Sequence, residues 1–253
     1  MVSLWEVVAA SRASTRAPSD EAWRQLSAAL RARHRPGDLI AFAPAWIDPL
    51  GRHHLGDLIS LDMAGRMDAA RYATIWEVAE GDARSPDSAG HDPAESTAFG
   101  ALVLRRYRQV PADVATDFVA ALPGARVTGR TRGRAQESLE EVGFTPRRCV
   151  LVEPLPDQTA HIIYMGARLG RELVGHVGLA DVFTRRDVRD PARLVVTVDG
   201  RVAADVTVGV DDGWVRFAAA TGARAGARVE FAVTAVGPRA RDRRICFAAE
   251  ARL

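Results

Sequence analysis

At 253 residues, with 47% hydrophobic and 26% charged side chains and a formal net charge of only +2, the chain reads as folded protein, long enough for two modest domains. All 34 basic residues are arginines, which excludes chemistry that needs a lysine, Schiff-base formation and the phosphate-cradling P-loop among it. With 32 acidic residues interleaved, nothing points to nucleic acid, and no apolar run of roughly 18 residues predicts a membrane-spanning helix.

In chain order, MVSLWEVVAASRAST is too short and too polar in its middle for a signal peptide, so as given the chain reads as soluble, or as trimmed from something larger. Ser19 as N-cap, Asp20 and Glu21 in the first turn and a stripe of Trp23, Leu26 and Leu30 predict a helix that Pro36 and Gly37 end. Asp38–Phe42 is a short apolar run between breakers and predicts a buried strand. Asp48 before Pro49 reads as N-cap and first turn of a second helix, closed by Gly56. A short run at 58–61 and a helical turn near 68–72 lead to a strand at 73–80. Residues 81–97 read as a polar loop, and 101–110 as an edge strand completing a small sheet with parallel strands.

From about Pro111 onward nearly every segment is strand-like, with AQESLEEVGF (135–144) the exception, an exposed helical turn or loop. Asp199-Gly200 joins two alternating runs as a hairpin, and Asp211-Asp212-Gly213 marks another turn. Short strands at regular spacing predict an antiparallel sandwich. The expected fold class is therefore α+β in two domains: residues 1–110 a small α/β layer, and 111–253 a β-sandwich of the jelly-roll kind. Cys149 and Cys246 lack metal-binding spacing and sit in apolar runs; buried free thiols are the default, and a disulfide requires neighbouring strands. The arginine clusters at 124–135 and 238–244 read as solvated loops.

Two resemblances add to this reading. RPGDLIAFAPAWIDPLGRHHLGD, RYATIWEVAE and FGALVLRRYR resemble the soluble α/β region of bacterial lipid-linked-sugar glycosyltransferases related to protein mannosyltransferases. The catalytic acids of those enzymes lie in their membrane part, so the resemblance implies a membrane-protein neighbour and no catalysis, with an extracytoplasmic setting if the chain is trimmed from such a transferase and a cytoplasmic one otherwise. GRELVGHVGLADVF, LVVTVDGRVAADVTVGVDDGWVRFAAAT and RRICFAAEAR resemble galactose-binding-like jelly-roll domains, which implies a sugar-binding or spacer role, in some members with a structural calcium.

Candidate site residues follow from the same stretches. Trp214 offers a stacking face for a sugar, with Asp211, Asp212 and Arg216 to bond its hydroxyls. Asp199, Asp211 and Asp212 also have the oxygens calcium prefers, although each belongs first to a turn sequence. Asp181, Arg185 and Arg186 form a charged loop that would line the same end. In the first half, Asp48, Arg52, His53, His54, Asp57, Arg66 and Arg71 form a candidate polar pocket for a sugar phosphate or lipid phosphate at a strand-to-helix junction. The plainer reading pairs Asp48 with Arg52 and buries one histidine. His53 and Asp57 share a helix face while His54 points about 100° away, so no metal site is expected. GxSxG, P-loop, GxGxxG and HExxH signatures are absent. The leading expectation is a non-catalytic carbohydrate-binding or cell-envelope module without cofactor; the alternatives are an enzyme acting on a sugar or sugar phosphate, and a structural or interaction protein.

Overall fold

A computed structural model describes residues 18–180, 190–238 and 243–253. The chain forms two compact units, one comprising residues up to 63 with 68–111, the other 64–67 with 112–253. No helix among the described residues is long and apolar enough to cross a membrane.

In the first unit, helix α1 (Asp20–Arg31) starts where the Ser19 hydroxyl accepts the Ala22 N–H at 3.2 Å, and it buries Trp23, Leu26 and Leu30. Strand β1 (Leu39–Ala43) leads through a 3-10 turn, Ala45–Ile47, into helix α2 (Asp48–Leu55). Strands β2 (Thr74–Glu80), β3 (Glu95–Phe99) and β4 (Leu102–Arg108) follow, and the sheet runs β1-β2-β4-β3. Only β1 and β2 are parallel; β4 is antiparallel to both its neighbours. The expectation of a parallel layer therefore holds for one pair. The core joins the α1 stripe to Leu39, Ile75, Trp76, Val78, Leu104 and Tyr107.

Several local expectations are corrected here. Residues 95–99 are a strand, so β3 is the edge and β4 lies inside the sheet, because tertiary pairing with β4 overrides the polar character of Glu95 and Ser96. Asp48 does not cap α2: Ile47 holds the cap position, and the Asp48 side chain pairs instead with Arg52 at 2.8 Å. Gly56 stays right-handed at φ −60° and opens a 3-10 turn, so the chain continues instead of reversing. Residues 61–64 form a turn of helix where the short run at 58–61 was expected, and 68–72 carry turns without a helix.

The second unit contains β5 (Val114–Asp117), β6 (Arg126–Thr128), β7 (Gln136–Val142), β8 (Thr145–Val152), β9 (Thr159–Leu169), β10 (Glu172–Leu179), β11 (Ala192–Val198), β12 (Arg201–Val208), β13 (Val215–Ala220), β14 (Arg224–Ala235) and β15 (Ile245–Arg252). One sheet runs β13-β10-β15-β8-β7, with β5 also pairing β15; the other runs β12-β11-β14-β9-β6. All of these pairings are antiparallel. Alternation along β9, β11 and β14 turns Ile162, Tyr164, Leu194, Val196, Phe231 and Val233 toward Val177, Phe217 and Phe247 of the facing sheet, making one core. Phe231 stacks on Phe247 across it with ring centroids 4.7 Å apart, and the buried Tyr164 hydroxyl donates to the Phe118 carbonyl at 2.6 Å. The unit is a β-sandwich.

Two more expectations change. Residues 136–142 form a strand, because Glu140 is buried beside Arg244 at 2.6 Å and Val142 packs on the same side, so pairing to β8 wins over the helical preference of the glutamates. Cys149 and Cys246 are bonded to each other, not free thiols: β8 and β15 are neighbours, Cys246 stands opposite Leu151, and the two Cα atoms lie 5.7 Å apart across the diagonal. The hairpin at Asp199-Gly200 is present with both residues left-handed, at φ 49° and 79°, as a two-residue turn between twisted strands requires.

Candidate functional site

One end of the sandwich brings two turns together. Trp214 stands directly before β13 and packs against Gly178 of β10, and glycine there leaves room for the indole: a Cβ on Gly178 would lie 3.2 Å from Trp214 Cε3 and 3.0 Å from Val142 Cγ1. The indole N–H donates to the Thr145 carbonyl at 2.8 Å, and the Arg147 guanidinium lies 5.3 Å from the ring centroid in a cation–π contact. Trp214 is thus half-buried and fixed in orientation, packed against the core along one edge.

Thr145 belongs to the β7–β8 hairpin, whose two-residue loop is Gly143-Phe144, both left-handed at φ 57° and 63°. Its tip approaches the 209–214 turn, where a Cβ on Gly143 would be 3.6 Å from the Gly213 Cα. Phe144 is 88% exposed. A non-glycine residue in this conformation costs about 1–2 kcal/mol, and an exposed ring recovers nothing by burial. Phe144 was not a candidate because 135–144 reads as a helical turn or loop, and Arg147 because it falls in a run that reads simply as a strand.

The other candidates of the second unit divide. Asp211 is exposed; Asp212 is exposed too, yet its Oδ2 accepts the Gly209 N–H at 2.7 Å and so shapes the turn. Arg216 is exposed on β13, in register with His176. Asp199 lies in the β11–β12 hairpin with both oxygens engaged, by the Arg228 N–H at 2.8 Å and by Arg224 at 2.9 Å, which together hold its carboxyl below the usual carboxylate range. Its oxygens thereby hold the turn. Among the described residues no group of three or more His, Cys, Asp or Glu side chains could hold a metal. Asp181, Arg185 and Arg186 lie outside the described residues.

The first-unit candidates are distributed among separate partners. Asp48 pairs with Arg52, and Asp57 takes a bidentate contact from Arg31, which also donates to the His54 carbonyl at 2.8 Å. That hydrogen bond from Arg31 holds the Asp57 carboxyl below its ordinary range. His54 stacks on Trp23 with centroids 5.1 Å apart, and His53 meets His54 edge-on at 5.0 Å. Burial, then the neighbouring His53, push the His54 imidazole below the usual histidine range, against the pull of Asp20. Arg71 is exposed on a turn of this unit, whereas Arg66 belongs to the 64–67 segment of the second.

A buried polar network escaped sequence reading altogether. Glu77, in the middle of β2 and fully buried, accepts from the Ser85 N–H at 2.7 Å, Ser88 Oγ at 2.5 Å, Arg105 Nη1 at 2.9 Å and Tyr107 OH at 3.0 Å. Arg105 also reaches the Gly81 and Ala83 carbonyls, and Arg84 reaches the Tyr107 oxygen. Burial alone would raise the Glu77 carboxyl; the hydrogen bonds outweigh it and hold the group below the usual range. With no solvent access at Glu77 this network fastens the 81–88 loop onto the sheet. A glutamate inside an apolar strand, WEVAE, was the available signal.

No family model matches the chain, and no curated protein does. Solved structures similar to it include a CBM51 module with INT domains from Clostridium perfringens ZmpB, described in complex with GlcNAc, at 13% identity and TM-score 0.41; the match covers 62% of this chain and 36% of that one. A CBM51 module of Clostridium perfringens GH95, in complex with methyl-galactose, matches at 9% identity and TM-score 0.37 over 49% of this chain and 92% of its own. A carbohydrate-binding module of the β-sandwich superfamily matches at 13% identity and TM-score 0.39, covering 61% of this chain and 69% of its own. The sandwich architecture of the second unit stands on its own strand pairing, independently of these neighbours.

Proposed function

We propose that the second unit is a galactose-binding-like jelly roll that acts as a non-catalytic carbohydrate-binding module, taking a glycan or other cell-envelope component at the Trp214–Phe144 end. The observation that carries this reading is Phe144, a left-handed and 88% exposed phenylalanine held beside a tryptophan whose ring is already oriented by Thr145 and Arg147. Two aromatic surfaces from two turns, with Asp211, Asp212 and Arg216 nearby in sequence or register, provide an apolar platform and a few polar groups, the mix that suits a sugar ring. Preorganisation lowers the ordering cost of binding. The buried disulfide supports an extracytoplasmic setting, since such bonds persist in oxidising compartments. The first unit is a small α/β layer that accompanies the module and neighbours a membrane protein.

Thermal denaturation of the intact chain against methyl glycosides, cell-wall oligosaccharides and sugar phosphates tests the reading. Saturation at about 100 times Kd stabilises a fold by roughly 2.7 kcal/mol, a readable rise in melting temperature. Measured with Trp46, an exposed tryptophan of the first unit, replaced by alanine, the expected result is a sugar-dependent rise that Trp214→Ala and Phe144→Ala each abolish while leaving the ligand-free protein folded. A panel without any such rise, or a rise that survives both substitutions, overturns it.

A further inference from the structure

Helix α2 presents the wrong residues to solvent. Its inner face is ordinary: Ile47 and Leu55 are fully buried, and Gly51 is glycine because a Cβ would run into the Phe42 ring of β1. The outer face of a surface helix should be charged. Here Leu50, 45% exposed, and the exposed His53 lie outward on α2, and Trp46, 59% exposed, precedes Leu50 by four residues in the 3-10 turn that leads into the helix. Of the described tryptophans, Trp23 and Trp76 are buried and Trp214 is half-buried, so Trp46 alone among them turns its ring outward. Trp76 and Trp214 each give their indole N–H to a protein acceptor; Trp46 makes no hydrogen bond with a described residue.

We propose that Trp46, with Leu50 and His53, forms a second carbohydrate-stacking site, on the first unit and independent of the sandwich. Three observations choose a sugar ring as the occupant. The apolar area offered by Trp46 and Leu50 is on the order of 200 Å², enough for the face of one ring and far below the roughly 800 Å² per partner of a stable protein interface. Hydroxyls at a ring's edge find His53 and the half-exposed Asp48–Arg52 pair, whose atoms meet at 2.8 Å, as donors and acceptors. Asp48, Asp57 and Asp62 on the same stretch disfavour the anionic surface of a bilayer. The platform is also rigid: Ile47 and Leu55 anchor α2 inward, Arg31 grips Asp57 at its far end, and His54 stacks on Trp23.

The test uses the intact chain labelled with 5-fluorotryptophan, whose five tryptophans give separate fluorine resonances, Trp46 being assigned by its loss in Trp46→Tyr. Methyl glycosides of glucose, galactose, mannose and N-acetylglucosamine are titrated to about 50 mM, which covers millimolar affinities. The expected result is a saturable shift of the Trp46 resonance with at least one glycoside. By calorimetry Trp46→Ala should weaken that binding about 10-fold and Trp46→Tyr by less than about 3-fold, since a stacked ring contributes on the order of 1 kcal/mol. The shift should persist in Phe144→Ala, so this site and the sandwich site stand or fall separately. A Trp46 resonance unmoved by all four glycosides overturns the proposal. So does a concentration-dependent dimer, seen by sedimentation, that Trp46→Ala dissolves, because the face would then belong to a second copy of the chain.

Discussion

Replacing Glu77 by glutamine keeps the size of the side chain and removes its charge at the centre of β2. Four donors converge on that carboxylate at 2.5–3.0 Å, and Arg105, itself buried, is its nearest guanidinium. In the variant the amide nitrogen turns a donor toward at least one donor, and the Arg105 charge is left without its anion. Breaking a buried pair from one side costs about 3–5 kcal/mol. Against a total stability of about 5–15 kcal/mol this threatens the first unit as a whole. Urea unfolding followed by hydrogen exchange of the β2 and β4 amides measures it. The sign with pH is fixed by the direction of the Glu77 shift: its carboxyl lies below the ordinary range when folded, so its contribution is complete above the unfolded value of about 4.3 and fades as pH falls through the folded one. The gap between wild type and Glu77→Gln should therefore be full near about pH 7 and narrow below about pH 4. Glu77→Leu combined with Arg105→Met should recover part of the loss, because removing both charges also removes their desolvation. A gap under about 1 kcal/mol, or one unchanged between neutral and acid pH, refutes the account.

Three further perturbations have expected outcomes. Cys149→Ala with Cys246→Ala opens a covalent loop with a separation of 97 residues and should cost about 3–5 kcal/mol by urea unfolding; a loss under about 1 kcal/mol would deny the bond its role. Phe144→Gly should raise stability by about 0.5–1 kcal/mol, because glycine adopts the left-handed turn without strain, while sugar binding falls; a lower calorimetric melting temperature would show that the phenylalanine is not strained. Tyr164→Phe should cost about 1–2 kcal/mol by leaving the Phe118 carbonyl unpaired, and ultraviolet titration of the folded wild type should show Tyr164 still protonated where a free tyrosine ionises, since burial pushes its phenol up; ionisation near about pH 10 without unfolding would count against that packing.

Local signals were legible where the physics is local. Ser19 and the Trp23, Leu26, Leu30 spacing define α1 through its own cap and its own stripe, and Asp199-Gly200 defines its hairpin because few residue pairs tolerate two left-handed positions in a row. The Asp48–Arg52 pair follows from helical spacing alone. The same local logic failed for residues 136–142, where glutamates favour a helix in isolation, and for 95–99, where a polar stretch becomes an edge strand only because β4 offers it a ladder.

By itself, then, the amino-acid sequence determined the Ser19 cap, the buried stripe of α1 and the Asp199-Gly200 turn, because spacing and side-chain chemistry decide those within a few residues. Only the tertiary structure decided which strands are neighbours, and with that the rest: β8 beside β15 joins Cys149 to Cys246, β10 beside β13 sets Trp214 over Gly178, and the β7–β8 hairpin carries Phe144 to the 209–214 turn. Those partners lie tens of residues apart, and a period of two along each strand says which face is buried but not which strand will be opposite.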